Sequence, residues 1–370
     1  MGHLVLAGGG HAHLTVLANL AGIAARGHQV TVVGPSPHHY YSGMGPGMLG
    51  GTYRPEEIRF ATQSVVERQG GRFVLDRVAR IDAPAKAVQL ASGQSLCYDV
   101  LSCNTGSQVD ETLLAGGDGA GVVTVKPIER LQAARDRVLD LACRGPFTIA
   151  IAGGGPSAAE IAGNLRQLTS RAGLHRPRIV IFAGHGLMGR FPEGVRQRVI
   201  ASLANRGVEI VNQRVTAVSA ETVVAESGST AADLVVLASG ILPSPLFRDS
   251  QLATGPEGGL LVNRFLQAVE HPEIFGGGDC IYFGDEPLDK VGVYAVRENP
   301  ILYHNLLARL DGRPLLPFAP GGKYLLIFNL GEGQGVLHKG WLTMAGRAAF
   351  WIKDRIDRRF MRRFQAMETL

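Results

Sequence analysis

Two segments that each combine a strand, a glycine turn and a helix constrain this chain more than any other feature. The first passes from apolar residues 4–7 through three glycines into a helical pattern at 14–25, and a β-rich stretch follows at 30–33. The second repeats this order at 148–152, 157–170 and 178–183. A strand–helix–strand unit requires a parallel sheet with a crossover helix. We therefore predict an α/β fold with two Rossmann-like three-layer domains.

Both glycine turns have the spacing of a dinucleotide-binding fingerprint. The first glycine permits the sharp bend, and the second lets the backbone approach a pyrophosphate at the N-terminus of the following helix. The second turn has Ala158 at the third position of the fingerprint, where a small residue allows close packing, whereas the first has His13 there, a departure from the pattern. The predicted contacts are Gly8, Gly9, Gly10, His11, Ala12 and His13 at the first site and Gly153, Gly155, Pro156 and Ser157 at the second.

The acidic residue that usually holds the ribose, about 20 residues after the fingerprint, is missing from both units. No Asp or Glu precedes Glu56, and none lies at 161–192. Ser36 is the candidate for the first ribose. At the second site, the basic His185 and Arg190 would tolerate a 2′-phosphate better than a carboxylate would, so NADH and NADPH both stay open.

The composition is that of a globular protein and excludes several classes of function. Of the 370 residues, 45% are hydrophobic and 19% charged. The chain opens on a strand-like run and has no uninterrupted apolar stretch of about 18 residues, so we expect neither a signal peptide nor a transmembrane helix. The net charge of +5 is concentrated at 347–363, which argues against a general nucleic-acid surface. Four cysteines without metal-ligand spacing indicate reduced cytoplasmic thiols and no metal site.

Further motifs, taken with the fingerprints, resemble the pyridine nucleotide-disulfide oxidoreductases, flavoproteins with two dinucleotide-binding domains. These motifs are YDVLSCNTGS at 98–107, ASG at 238–240 and IFGGGD at 274–279. The resemblance covers roughly residues 3 to 310. Within the family, GGGHAH, PHHYYSGMGPGML and KVGVYAVREN most resemble type II NADH:quinone oxidoreductases and their relatives fused to selenide water dikinase.

The resemblance implies FAD and NAD(P)H as cofactors and a nested domain arrangement. We expect a discontinuous FAD-binding domain at 1–115 and 241–318, with an NAD(P)-binding domain inserted at 116–240. A C-terminal amphipathic helical segment would occupy 319–370.

The resemblance also implies roles for individual residues. Asp279 would hold the ribitol chain of FAD, and Tyr41 and Met44 would lie near the isoalloxazine. Lys290 would lie at the start of a helix that points at the flavin, and Glu160 would lie near the nicotinamide. A solvated lysine and a helix-face acid are the alternatives for these two predicted catalytic residues. The remaining predicted cofactor contacts are Val78, Thr105, Gly106, Gly278, Val291 and Gly240.

The cysteines favour chemistry that uses the flavin alone. Disulfide reductases need a close Cys pair soon after the first nucleotide unit, and this chain has none there. We therefore expect hydride to pass from NAD(P)H to FAD and electrons to leave to a quinone-like acceptor. The alternatives are a sulfide:quinone-like enzyme using Cys143 or Cys280, a soluble NAD(P)H flavin reductase, and a flavin-binding partner module serving selenium metabolism.

A basic amphipathic helix is predicted near the C-terminus. Ile352, Ile356, Phe360 and Phe364 recur every four residues, and arginines occupy the other faces. Such a helix suits an anionic membrane surface, here the inner face of the cytoplasmic membrane. The alternative is that the stripe packs on the chain's own core or on the partner in a homodimer.

Overall fold

The computed structural model describes residues 1–114 and 121–369, and over these residues the predicted α/β fold is confirmed. The strands are β1 (His3–Ala7), β2 (Gln29–Gly34), β3 (His39–Tyr40), β4 (Arg59–Phe60), β5 (Arg72–Leu75), β6 (Val78–Asp82), β7 (Ala87–Leu90), β8 (Ser95–Cys97), β9 (Val100–Cys103), β10 (Ser107–Val109), β11 (Val122–Thr124), β12 (Thr148–Ala152), β13 (Arg178–Phe182), β14 (Val208–Val211), β15 (Val215–Val218), β16 (Thr222–Ala225), β17 (Gly228–Ala231), β18 (Leu234–Leu237), β19 (Ile241–Pro243), β20 (Leu260–Val262), β21 (Ile274–Gly276), β22 (Ile281–Phe283), β23 (Leu326–Asn329), β24 (Gly335–Lys339) and β25 (Leu342–Gly346). The α-helices are α1 (Leu14–Leu17), α2 (Leu20–Ala24), α3 (Gly45–Leu49), α4 (Thr62–Arg68), α5 (Arg130–Arg144), α6 (Pro156–Ala172), α7 (Glu193–Ala204), α8 (Leu246–Asp249), α9 (Gly292–Asp311) and α10 (Arg347–Gln365).

The first glycine turn follows the central strand of a five-stranded parallel sheet with the order β21-β9-β1-β2-β5. In β1, Leu4 pairs with Val30 on one side and with Val100 on the other. Residues 4–7 are buried, as expected for a strand covered on both faces. The turn therefore lies at the carboxyl edge of the sheet, between neighbouring strands.

The second glycine turn has the same place in a second parallel sheet, with the order β11-β18-β12-β13-β14. Ile149 of β12 pairs with Ile179 of β13 and with Leu234 of β18. Helix α6 begins at Pro156, immediately after this turn. The two units predicted from the sequence thus form two separate sheets.

Along the chain, the second sheet is inserted within the first. Strand β21 belongs to the first sheet, although it follows every strand of the second sheet in the sequence. The domain boundaries themselves stay predictions. The one between residues 115 and 116 lies outside the described residues.

Two local predictions were wrong. The helical pattern at 14–25 forms two short helices, because Asn19 leaves the helical conformation and its side chain donates to the Thr15 carbonyl at 2.7 Å. The pattern at 72–82 predicts a strand that pairs antiparallel with 87–90, but this run forms two strands, and the first of them, β5, pairs in parallel with β2, with Thr31 opposite Arg72. The second strand of this run, β6, pairs antiparallel with β7.

The C-terminal helix α10 follows a three-stranded antiparallel sheet of β23, β24 and β25. Phe364 is buried, and the Phe360 ring lies 4.9 Å from the Tyr41 ring between centroids. The prediction of a membrane-facing stripe is therefore wrong for these two residues, which pack on the chain's own core. Residues four positions apart are offset by about 40° around a helix, so a stripe with this spacing winds round the helix axis. Some of its residues therefore face the core and others face solvent. Ile356, in the same stripe, stays 46% exposed.

None of the helices in the described part of the chain is long and apolar enough to cross a bilayer.

Candidate functional site

A cavity of about 430 Å³ opens beside the first glycine turn, at the carboxyl edge of the first sheet. Segments after β1, β2, β9 and β21 all contribute to its walls. Parallel α/β sheets bind ligands at this edge, where successive strand ends converge. Ten of the predicted residues line the cavity, namely Gly8, Gly9, Gly10, His11, Ser36, Val78, Thr105, Gly106, Gly278 and Asp279.

Asn104 ties the glycine segments of this site together. Its Oδ1 accepts a hydrogen bond from the Ala12 amide at 3.2 Å, and its Nδ2 donates to the Gly277 carbonyl at 2.5 Å. A Cβ on Gly8 would lie 2.3 Å from the Asn104 carbonyl oxygen, and one on Gly10 would lie 2.1 Å from Asn104 Oδ1. Neither glycine can carry a side chain here. Asn104 was not among the predicted contacts, although it stands within the motif at 98–107.

His13 is a structural residue of the first turn. Its Nδ1 donates to the Gly8 carbonyl at 2.6 Å, which makes Nε2 the acceptor for the Ser102 hydroxyl at 2.8 Å. Burial lowers the pKa of His13 to about 4, so the imidazole is neutral near pH 7. Two hydrogen bonds thus allow a large side chain to stand where the fingerprint usually has a small one.

Asp279 lies in the cavity wall as the anionic member of an ion pair that the sequence did not reveal. Its Oδ2 is 2.8 Å from Lys126 Nζ and accepts the Ser107 hydroxyl at 2.8 Å. Burial opposes ionisation of this carboxyl, but the Lys126 ammonium and the Ser107 hydrogen bond hold its pKa below the usual value. Within the described residues Oδ1 makes no hydrogen bond, so it is available to a ligand.

Buried polar atoms without partners lie in the same cavity. His11 Nε2 and Thr62 Oγ1 make no hydrogen bond within the described residues, and both residues line the cavity. An unsatisfied buried polar atom costs about 1–3 kcal/mol. A polar ligand in the cavity would remove that cost.

His11 and His39 form a neutral pair beside these atoms. His39 Nε2 and His11 Nδ1 are 3.2 Å apart. Burial is the largest cause that lowers their pKa values, to about 3 for His11 and about 4 for His39. At neutral pH both rings are uncharged, and one hydrogen bond joins them.

The second glycine turn is as crowded as the first on one side, but its other side is open. Gly153 has φ +149°, and a Cβ there would lie 2.2 Å from the Ala238 carbonyl oxygen. A Cβ on Gly155 would meet nothing within 4 Å. The open side faces the N-terminus of α6, where backbone N–H groups attract negative charge.

Glu160, in the second turn of α6, is half-buried and faces the C-terminal segment. Its Oε1 accepts a hydrogen bond from the Asn329 amide at 2.7 Å. Burial raises its pKa to about 7, although the nearby Lys353 ammonium opposes that rise. Glu160 can therefore gain or lose a proton near neutral pH, which a helix-face acid in solvent would not do.

An ion pair in α10, between Lys353 and Asp357, lies close to Glu160. Lys353 Nζ lies 2.6 Å from Asp357 Oδ2 and donates to the Gly43 carbonyl at 2.8 Å, and both side chains of the pair are buried. The Tyr41 hydroxyl donates to Asp357 Oδ1 at 3.1 Å. Because α10 was predicted to lie on a membrane surface, neither Lys353 nor Asp357 was expected in a buried ion pair.

Lys290 is neither solvated nor free. Its ammonium is 2.9 Å from Glu257 Oε1 and donates to the Ile281 carbonyl. It shares a narrow cleft with Val291, Asp279 and Glu298. Helix α9 begins at Gly292, two residues after the predicted lysine.

The sequence profile of the pyridine nucleotide-disulphide oxidoreductases matches residues 2–305. The chain belongs to the pyridine nucleotide-disulphide oxidoreductase family. It is an oxidoreductase, and its cofactors are FAD and NAD(P)H. The resemblance inferred from the motifs is confirmed.

Relatives match between three quarters and nearly all of the chain. The type II NADH:quinone oxidoreductase of Staphylococcus saprophyticus is 24% identical over 96% of this chain and 94% of its own length. The NADH dehydrogenase-like protein YutJ of Bacillus subtilis is 25% identical over 76% of this chain and 77% of its own. Neither match favours the sulfide:quinone-like, flavin-reductase or selenium-partner alternatives.

Solved structures of other oxidoreductases share the fold. NDH2 of Plasmodium falciparum, in complex with NADH, superposes with a TM-score of 0.82 at 14% identity and covers 100% of this chain and 97% of its own. The sulfide:quinone oxidoreductase of Aquifex aeolicus gives 0.79 at 18% identity, covering 99% and 92%.

Several predicted contacts of this oxidoreductase lie outside the main cavity. Tyr41 packs between His11 and α10, and Met44 is buried in the core. Gly240 lies on the link to β19, where its carbonyl accepts the Asp110 amide at 2.9 Å. Ala12 and His13 border the first glycine turn, and Val291 lines the narrow cleft.

The cysteines do not form a reactive pair in the described residues. Cys103 and Cys280 are buried, and burial is the largest cause that raises the pKa of each thiol. Cys97 and Cys143 are exposed. A raised pKa keeps a thiol protonated and therefore a poor nucleophile.

Proposed function

We propose that this oxidoreductase passes a hydride from NAD(P)H to FAD and electrons from FAD to a quinone-like acceptor. The observation that carries the proposal is that, among the described residues, no cysteine lines the main cavity. Electrons that enter there have no protein thiol to reduce and must leave to an external acceptor. The relatives named as NADH:quinone oxidoreductases support a quinone for that role.

The main cavity fits FAD. The backbone at Gly8 and Gly10 would receive the pyrophosphate, and the free Oδ1 of Asp279 would accept a ribitol hydroxyl. Bound FAD would supply two-electron chemistry, taking up hydride and returning electrons. Lys126 keeps Asp279 ionised and adds positive charge to the cavity wall.

The second glycine turn would hold the dinucleotide, with Glu160 between it and the C-terminal helix. A quinone-like acceptor takes up protons as it is reduced. Glu160, with a pKa of about 7, can hold one such proton at its carboxyl. The Lys353 ammonium of α10 is near enough to this carboxyl to favour its ionised form.

Stopped-flow absorbance tests the proposal with the full-length, FAD-loaded protein. We expect NADH or NADPH to bleach the flavin and a short-chain quinone to restore its colour. A variant with all four cysteines replaced by alanine, still folded and flavin-loaded, should behave alike. Bleaching by neither nucleotide contradicts the proposal, and bleaching without reoxidation by quinone contradicts the acceptor.

We also propose that the exposed side of the C-terminal segment contacts an anionic membrane. Trp341, before β25, is 93% exposed, and Trp351 of α10 is 61% exposed. The Arg355 guanidinium lies 5.8 Å from the centre of the Trp351 ring. Exposed tryptophans beside arginines suit the interface of an anionic bilayer. These residues differ from the stripe that the sequence suggested.

Liposome sedimentation measures this contact. Replacing Trp341, Trp351 and Ile356 by serine should lower binding to anionic vesicles at least tenfold, because each large apolar side chain contributes roughly 1.5–3 kcal/mol when fully removed from water. Raising the salt concentration should weaken binding by the intact protein. The control replaces the exposed Leu75 and Val269, elsewhere on the surface, by serine. Equal binding by the triple variant and the control rejects this surface.

A further inference from the structure

The residues around the second glycine turn carry more positive than negative charge where a dinucleotide's ribose would lie. We propose that this site selects NADPH over NADH, with Arg190 and Arg196 receiving the 2′-phosphate. The inference rests on the proposed function, which makes this turn the NAD(P)H site.

The loop after β13 folds back over the glycine turn. The Met188 amide donates to the Gly154 carbonyl at 2.7 Å, and the Gly186 amide donates to the Ala183 carbonyl at 3.0 Å. A Cβ on Gly154 would lie 2.5 Å from the Ala183 carbonyl oxygen, so strand end and turn are in direct contact. The end of the second strand of such a unit is where the ribose is held.

Within the described loop that follows β13, no carboxylate is available to bind the ribose hydroxyls. The end of β13 is followed by Ala183 and Gly184, and the first acid beyond is Glu193. Glu193 Oε2 is 2.9 Å from Arg196 Nη1, so its charge is already compensated. This loop therefore lacks the carboxylate that would accept the ribose hydroxyls of NADH and repel the 2′-phosphate of NADPH.

Two arginines stand in its place, one of which, Arg196, is shared with Glu193. Arg196 reaches back to the loop, with Nη2 3.7 Å from the Cβ position of Gly186. Its Nε is buried and makes no hydrogen bond within the described residues. Arg190 is exposed at the end of the same loop, and in the described part of the chain it forms neither a hydrogen bond nor an ion pair. Guanidinium groups bind phosphate through paired, charge-assisted hydrogen bonds.

Calorimetric binding of nucleotide fragments to the full-length protein tests the inference without flavin reduction. We expect 2′,5′-ADP to bind at least tenfold more tightly than 5′-AMP. Arg190→Ala and Arg196→Ala should each lower the affinity for 2′,5′-ADP roughly tenfold, because each removes a hydrogen bond between charged groups, and leave that for 5′-AMP nearly unchanged. The matched control is Arg198→Ala, an exposed arginine on the same helix that donates to the Gly194 carbonyl.

Stopped-flow reduction by NADPH and NADH separates this inference from the proposed function. Faster reduction by NADPH at low concentration, lost in Arg190→Ala, supports both. Reduction by NADH that equals or exceeds reduction by NADPH, with no effect of either arginine, overturns the selectivity and leaves the function standing. Preferential binding of 2′,5′-ADP without reduction by either nucleotide supports the selectivity and overturns the function.

Discussion

The Asp279→Ala protein is expected to purify with little FAD. In the intact chain, Asp279 Oδ2 is held by Lys126 and Ser107, and Oδ1 is free to accept a ribitol hydroxyl. A hydrogen bond to a charged group contributes about 1.5–3 kcal/mol, so its loss alone weakens FAD binding roughly tenfold to a hundredfold. Lys126 also loses its counter-ion in the cavity wall. The flavin absorbance per protein, measured after gel filtration, gives the retained fraction.

A matched variant shows whether the loss is specific. Asp285→Ala removes another carboxylate six residues away, which is exposed and pairs with Arg264 at 3.2 Å. This variant should keep its FAD, and Asp279→Asn should retain an intermediate amount because the amide oxygen still accepts a hydrogen bond. A yellow, fully loaded Asp279→Ala protein would show that the aspartate does not hold the cofactor.

Asp357→Ala is expected to lower the free energy of unfolding by about 3–5 kcal/mol, because it leaves the Lys353 ammonium buried without its counter-ion. Both side chains of this pair are at most 10% exposed. The Tyr41 hydroxyl loses its acceptor in the same variant. Urea unfolding followed by far-ultraviolet circular dichroism measures the difference in stability.

The double variant Lys353→Met, Asp357→Leu separates the charge effect from the loss of packing. Apolar side chains can replace a buried ion pair at little net cost, so this protein should be more stable than Asp357→Ala. It should stay less stable than the original, because the Tyr41 hydroxyl and the Gly43 carbonyl lose their hydrogen-bond partners. Arg355→Ala, on the exposed side of the same helix, should change stability little. If Asp357→Ala unfolds at the same urea concentration as the original, α10 is not anchored by this pair.

Tyr41 connects the first glycine turn with helix α10. Its ring packs against His11 of the first glycine turn at 5.2 Å between centroids, and its hydroxyl reaches Asp357 of α10. We therefore expect Asp357→Ala to reduce FAD retention somewhat, whereas Asp279→Ala should leave the C-terminal segment folded. A C-terminal helix that served only as a membrane anchor would show no such coupling.

The sequence by itself determined the two α/β units, the family and the cofactor class. These follow from short segments, because a glycine turn between a strand and a helix is defined by neighbouring residues. Gly8 and Gly153 have positive φ and no room for a Cβ, so the chemical constraint is visible in the residue type. The carboxylate of the IFGGGD motif was found for the same reason.

Only the tertiary structure decided which residues surround those motifs. Lys126 meets Asp279 across 153 positions, and Tyr41 meets Asp357 across 316. No local pattern records such a pairing. The periodicity of α10 predicted an amphipathic helix but not what its apolar side contacts. That side packs against Tyr41 and Phe60 because the fold brings the C-terminal helix back to β4 and the segment before it. Lys353 and Asp357 are buried at this contact.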